Sequence, residues 1–264
     1  MPFPLFHALV ENMHMRKKGK KDAEKHMVLS MLPDFFGIIN ISLWDKMHDK
    51  ERIKNHVDKF GENPAIRAMI THLRVDDIFD SHVYNEGGML YKHKEEIEKE
   101  LNSEFGLKGK GNDDVTELII ELSFDMIAAD KYDLLPLFAD CQKNIDLDET
   151  AGYLKRFLGK SKRKIKKNIR ELKDIEPTDL ISVEGIIKLG KKRYLSVSNF
   201  MKFHKKIKSD SLKGFLSNMR FVKRIVSDKM HREKLKVMVE SHKNKMQDKF
   251  DEMLNEVHTN LQRY

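Results

Sequence analysis

The sequence predicts an all-α protein, a multi-helix bundle in two subdomains with a long C-terminal helix. Three observations carry that expectation. No Asn-Gly or Asp-Gly pair and no long alternating run rich in β-branched residues marks a hairpin. Apolar residues recur instead at three- and four-residue spacings, bounded by Asp, Ser, Pro and Gly where helix ends favour them. The stretch after Ser227 holds neither Gly nor Pro and carries one continuous apolar stripe.

Taken in order, Pro4 opens a first helix whose Leu5, Leu9, Val10 and Met13 share a face, and Arg16-Lys17-Lys18-Gly19 supplies cations at its end. Asp22 is placed to cap a second helix carrying Met27, Val28 and Met31, expected to stop before Pro33. Asp34 can begin a third, although Ile38-Ile39-Asn40-Ile41 also suits a strand. Gly61-Glu62-Asn63-Pro64 is a break, and Ile66, Met69, Ile70 and Leu73 form the next stripe. Three glycines between Gly106 and Asn112 read as a linker, dividing the chain into 1–105, a linker 106–112, and 113–264. Asp113 or Asp114 then caps a helix, with Glu117 in capping-box register and Leu118, Ile119, Leu122 and Met126 behind it. Asp146 or Asp148 opens another, with Tyr153, Leu154 and Phe157, closed by Gly159. Thr178 after Pro177 starts one more, and Ser198 and Ser209 suit later caps. Last, Leu235, Val239, His242, Met246, Phe250, Met253, Val257 and Leu261 predict one helix of about 35 residues, roughly 50 Å long. Its stripe suits packing on the protein's own core. Its length also suits self-association into a homo-oligomer through Leu235, Val239, Met246, Phe250, Met253, Val257 and Leu261.

Composition excludes several classes. A chain of 264 residues can bury a sizeable core without a disulfide or metal staple, and the single Cys141 can form no internal bridge. No apolar run approaches membrane-spanning length, and the first residues lack the basic start and cleavage site of a signal peptide, so an intracellular, soluble protein is expected. The net charge of +8 is unevenly distributed. Residues 1–110 are neutral, 111–150 carry 2 positive and 11 negative residues, and 151–264 carry 30 positive and 13 negative. Segregation of this kind points to an anionic partner.

The basic body is the most informative feature. Lys155, Arg156, Lys160, Lys162, Arg163, Lys164, Lys166, Lys167 and Arg170 place nine cations in sixteen residues, while Ile165, Ile169 and Leu172 keep an apolar face. Lys191, Lys192, Arg193, Lys205 and Lys206 continue the pattern, interleaved with Tyr194, Phe200 and Phe203. Cations track phosphates and aromatic rings stack on unpaired bases, so the expected function is non-enzymatic nucleic-acid binding, with single-stranded RNA favoured over DNA. An anionic membrane surface or an acidic protein is the alternative partner; no small-molecule substrate or cofactor is implied.

Catalytic motifs are scarce. No phosphate-binding glycine loop, nucleophile elbow or His-Glu-x-x-His occurs. His72 and Asp76, four apart on one helical face, have metal-ligand spacing, with Asp77, Asp80 and His82 nearby; the expected role is surface capping and solvated charge. Glu117, Glu121 and Asp125 form a carboxylate ladder expected to be an exposed acidic stripe. Pro33-Asp34 and Glu171-Leu172-Lys173 imitate a metal-dependent nuclease pattern but lie far apart, leaving a metal-dependent hydrolase as the enzymatic alternative. Basic, methionine-rich helical composition of this kind resembles the matrix and nucleocapsid proteins of negative-strand RNA viruses, a likeness that implies an RNA- or membrane-associated structural role and assigns no residue.

Overall fold

Helices form wherever the apolar spacing is three to four, and their ends follow the expected chemistry at several places. The computed structural model describes residues 4–17, 23–108, 110–185, 187–189 and 228–262, and among them there is no strand. The helices are α1 (Pro4–Lys17), α2 (Ala23–Ile39), α3 (Ile41–Met47), α4 (Lys50–Phe60), α5 (Pro64–Tyr84) and α6 (Tyr91–Phe105). They continue as α7 (Lys110–Tyr132), α8 (Leu134–Asn144), α9 (Leu147–Leu158), α10 (Lys162–Leu172), α11 (Lys229–Lys245) and α12 (Gln247–Gln262). Asn63 caps α5 by accepting from the Ile66 N–H, and Asp146 caps α9 by accepting from Asp148 and Glu149. Gly159 ends α9 at φ +61, a left-handed conformation that costs a glycine little.

Helix α1 is the pivot. It packs against α2, α5, α7 and α12, and its residues from Pro4 to Asn12 are all buried, so the expected one-sided stripe is instead a helix enclosed on all sides. Phe6 sits at the crossing, its ring centroid 5.4 Å from Phe124 of α7, 5.6 Å from Phe250 of α12 and 6.4 Å from Phe79 of α5. Phe79–Phe124 and Phe124–Phe250 close the knot at 5.2 and 5.4 Å, with tilted or edge-on rings of the kind aromatic quadrupoles favour. The Phe6 N–H, one of the first-turn donors without an intrahelical acceptor, donates to the buried Asp125 carboxylate at 2.9 Å.

Several expectations are corrected. Helix α2 runs through Pro33 rather than ending before it. A proline within a helix costs on the order of 3 kcal/mol, which burial of Met31, Leu32, Phe35 and Phe36 on either side can offset. The segment around Ile38 is helical, not strand, broken only at Asn40. Helix α7 begins at Lys110, so Gly111 and Asn112 lie inside it and neither Asp113 nor Asp114 is its cap. Pro177–Leu180 form a 3-10 turn in place of a helix starting at Thr178. Asp22, Ser198 and Ser209 lie outside the described residues.

The single long C-terminal helix is two. Met246 leaves the helical run, its N–H shared between the carbonyls of His242 and Lys243 at 3.0 and 3.2 Å. The stripe serves two sets of neighbours on either side of Met246: α11 lies on α6 and α7, and α12 on α1, α5 and α7. Leu235, Val239, Met246, Phe250, Met253, Val257 and Leu261 are consequently all buried within the chain itself rather than presented to a second copy. The same core cluster joins residues from Leu5 to Leu261 across the glycine-rich segment.

Phe6→Ala removes the ring shared by four helices and is expected to destabilise the protein by about 3–5 kcal/mol, read from the midpoint of chemical denaturation. A loss below about 1 kcal/mol would contradict the central placement of α1.

Candidate metal centre

Five ionisable side chains from four stretches of chain gather in two overlapping trios, His7–Asp34–His72 and His48–His72–Asp76. His7 comes from α1, Asp34 from α2, His48 from the residue that ends α3, and His72 and Asp76 from successive turns of α5. His7, Asp34 and His72 are buried; His48 and Asp76 are only partly covered, with side chains 19% and 25% exposed. The Nε2 atoms of His7 and His72 lie 3.1 and 3.3 Å from the two Asp76 oxygens, and 3.9 and 3.6 Å from the two Asp34 oxygens. His48 Nε2 is 3.2 Å from His72 Nε2 and 3.9 Å from Asp76 Oδ2. The His7 and His72 rings stack at 3.9 Å, which brings both Nε2 atoms to the same side.

These separations have a physical meaning. Donors bound to one divalent transition metal at about 2.1 Å stand about 3.0 Å apart in octahedral cis positions and about 3.4 Å apart in a tetrahedron. The shortest four distances fall in or next to that interval. Three imidazoles and two carboxylates are a donor set suited to Zn²⁺, Mn²⁺ or Fe²⁺. The outer contacts fit ligand duty too: if the proton of His48 is on Nδ1, that atom donates to the Trp44 carbonyl at 3.0 Å and leaves the Nε2 lone pair facing the cluster. Trp44 also lies against the His48 ring at a centroid distance of 4.6 Å.

Electrostatics keeps the donors in their ligating forms. Burial drives the His72 pKa well below its ordinary value and lowers His48 as well, so both imidazoles are neutral at pH 7. Burial alone would raise Asp76, but the facing His72 and His7 imidazoles outweigh it and hold the carboxyl below the usual range. A second layer surrounds the five. Glu11 of α1 and His26 of α2, both buried, approach at 3.4 Å. Glu121 of α7 is buried, and burial, with the carboxylates of Glu117, Asp34 and Asp76, pushes its pKa well above the ordinary value.

Two sequence expectations are thereby corrected. His72 and Asp76 are not surface capping groups: His72 is wholly buried and Asp76 faces inward onto three imidazoles. Glu121 and Asp125 are not an exposed stripe either, because α7 turns that face toward α1. His7 and His48 escaped the sequence reading, being single polar residues within an apolar run or at a helix end, and Asp34 is singled out there for metal chemistry only with Glu171-Leu172-Lys173, which the structure does not bring into this cluster. The signal that could have found them is polar: His7 and Glu11 sit one turn apart inside an otherwise apolar first helix.

The basic residues lie elsewhere. Lys155 and Arg156 are exposed on α9, Lys160 follows it, and Arg163, Lys164, Lys167 and Arg170 are exposed on α10, whose Ile165, Ile169 and Leu172 are buried as expected. Lys162 and Lys166 both engage Asp148, at 3.1 and 2.6 Å. Among the other acids of 111–150, Glu121 and Asp125 are buried, and Asp130 pairs with Lys243 of α11 at 2.8 Å. A groove of about 700 Å³ between α4 and α9 is lined by His56, Phe60, Tyr153, Lys155, Arg156 and Lys160. Arg156 lies over the Phe60 ring at 4.6 Å. Lys191, Lys192, Arg193, Lys205 and Lys206 lie outside the described residues. Among the described residues no helix is long and apolar enough to cross a membrane.

Comparison of the chain with protein-family models, with characterised proteins and with solved structures finds no match.

One pH effect follows from the acids beside the centre. Burial, then the charges of Glu117 and Asp76, raise Asp80 to about 6. A raised carboxyl is favoured in its protonated form by folding, so its cost is absent below the ordinary value and grows as pH rises through about 6. Asp80→Asn is therefore expected to stabilise the metal-free protein at pH 8 by about 1 kcal/mol, a figure reduced for the solvent that reaches this side chain. The gain should vanish as pH falls below 4, and thermal unfolding across that range checks it.

Proposed function

We propose that the protein is a divalent-metal-dependent hydrolase whose centre is His7, Asp34, His48, His72 and Asp76. The observation that carries this reading is the pair of overlapping donor trios, His7–Asp34–His72 and His48–His72–Asp76, joined at His72, with imidazole-to-carboxylate and imidazole-to-imidazole contacts of 3.1 to 3.9 Å. The partial exposure of His48 and Asp76 supports a catalytic over a purely structural site, because hydrolysis needs an open coordination position. A metal held there would lower the pKa of a bound water and polarise the ester to be cleaved. The chain's own contribution is to orient His48 through the Trp44 carbonyl and to keep His48 and His72 neutral by burial. The positive charge of the C-terminal half supports an anionic ester, a phosphodiester above all, as the substrate class.

The test is metal content and hydrolysis in the same preparation. Purified protein loaded with Mn²⁺ or Zn²⁺ is expected to bind one ion at this centre and to cleave bis-p-nitrophenyl phosphate. Asp34→Asn and His72→Gln should each lower kcat/KM by 100-fold or more, on the order of 3 kcal/mol of lost transition-state stabilisation. Absence of both metal uptake and turnover in folded wild-type protein would remove the reading.

A specific observation favours a second activity alongside it, the binding of single-stranded RNA by the basic ridge. Arg163, Lys164, Lys167 and Arg170 are exposed along one helix, and the groove beside it combines cations with the half-exposed Phe60 ring. Reversing Arg163, Lys164, Lys167 and Arg170 to Glu is expected to abolish retardation of single-stranded RNA at low salt and leave the helical circular dichroism unchanged. Unaltered binding by that variant would assign RNA to another surface or to none.

A further inference from the structure

Away from the central cluster, α6 and α11 bring a second set of donors together. His93, Glu96 and Glu100 lie at i, i+3 and i+7 on α6, one face of that helix, and His242 enters from α11. One donor atom each from His93, Glu96 and His242 lies within 4.8 Å of the others, and His242 Nε2 stands 3.0 Å from Glu100 Oε2. His242 is completely buried, yet its Nδ1 has no hydrogen-bond partner, and neither does the buried Nδ1 of His93. Two buried imidazole nitrogens without partners at one helix interface are costly unless something accepts their lone pairs or protons.

We propose that His93, Glu96 and His242, with Glu100 at their side, form a second divalent-metal site that clamps α11 onto α6. Two imidazoles and a carboxylate are donors suited to Zn²⁺, and Glu100 serves as a fourth ligand or as the outer partner that fixes the His242 ring. Burial lowers the pKa of both histidines, which leaves them neutral and able to ligate at pH 7. Lys245 is the local competitor, 3.4 Å from Glu96, and metal binding displaces that exposed pair at little cost. The site differs in kind from the central one. It joins two helices at the surface, it has Glu96 open to solvent, and the ion would act by holding α11 in place.

The experiment uses the full chain, stripped with a chelator and titrated with Zn²⁺ by calorimetry. His72→Gln disables the central cluster, and in that variant one Zn²⁺ is still expected to bind. Adding His93→Gln should abolish that uptake with unchanged circular dichroism. Glu96→Gln, at an exposed position that folding does not depend on, should weaken it at least about tenfold. Saturating Zn²⁺ should raise Tm of the His72→Gln protein by about 5 °C, and the rise should be lost with His93→Gln. No Zn²⁺ uptake by folded His72→Gln, or uptake that neither His93→Gln nor Glu96→Gln changes, overturns the proposal. Failure here leaves the central site to be judged by wild-type protein and the Asp34→Asn variant.

Discussion

The burial of α1 is the constraint on which the remaining architecture depends. A helix enclosed by α2, α5, α7 and α12 must satisfy its polar groups internally, and this one carries His7 and Glu11 into the interior. Buried ionisable groups are costly unless they are paired or bind a metal. The chain meets that demand with acids and imidazoles on each neighbour: Asp34 and His26 on α2, His72 and Asp76 on α5, Glu121 and Asp125 on α7. Aromatic packing on one side of α1 and ionisable packing on the other are two halves of the same enclosure, with Phe6 and His7 adjacent in sequence and pointing to different halves.

This enclosure also explains the form of several elements. Helix α2 continues through Pro33 because its apolar residues are held on both sides of the proline, and the continuation sets Asp34 opposite His7 and His72. Beyond Met246, α12 reaches Phe6, while α11 lies on α6 and α7. At the edge of the assembly, Lys46 and Arg52 donate to the Leu158 and Phe157 carbonyls at the end of α9, at 3.0 and 2.7 Å. They thereby tie α3 and α4, and the His48 between them, to the basic half of the chain.

Two chemistries are therefore segregated in one fold. The interior gathers nitrogen and oxygen donors in a water-poor setting where ligand geometry is fixed, and the α9–α10 surface gathers cations in water where screening makes contacts loose and salt-dependent. Among the described residues, Asp148 bridges the acidic and basic segments on the ridge, through Lys162 and Lys166. The proposed hydrolytic centre and the proposed RNA-binding ridge would be compatible in a single chain, the first acting on bonds and the second on encounter.

The sequence by itself determined the helical class, the break before α5, the cap at Asp146, the stop at Gly159 and the inward Ile165, Ile169 and Leu172, because those depend on neighbours within one or two turns. It made the His72–Asp76 spacing visible but not its burial. Only the tertiary structure decided that His7, Asp34 and His48 gather about that pair, that Glu121 and Asp125 of α7 turn inward, and that the C-terminal stripe is interrupted at Met246 and covered by its own chain. The reason is range: periodicity reports which face of a helix is apolar, whereas the partner of a polar residue on that face is set by helix packing between residues dozens of positions apart.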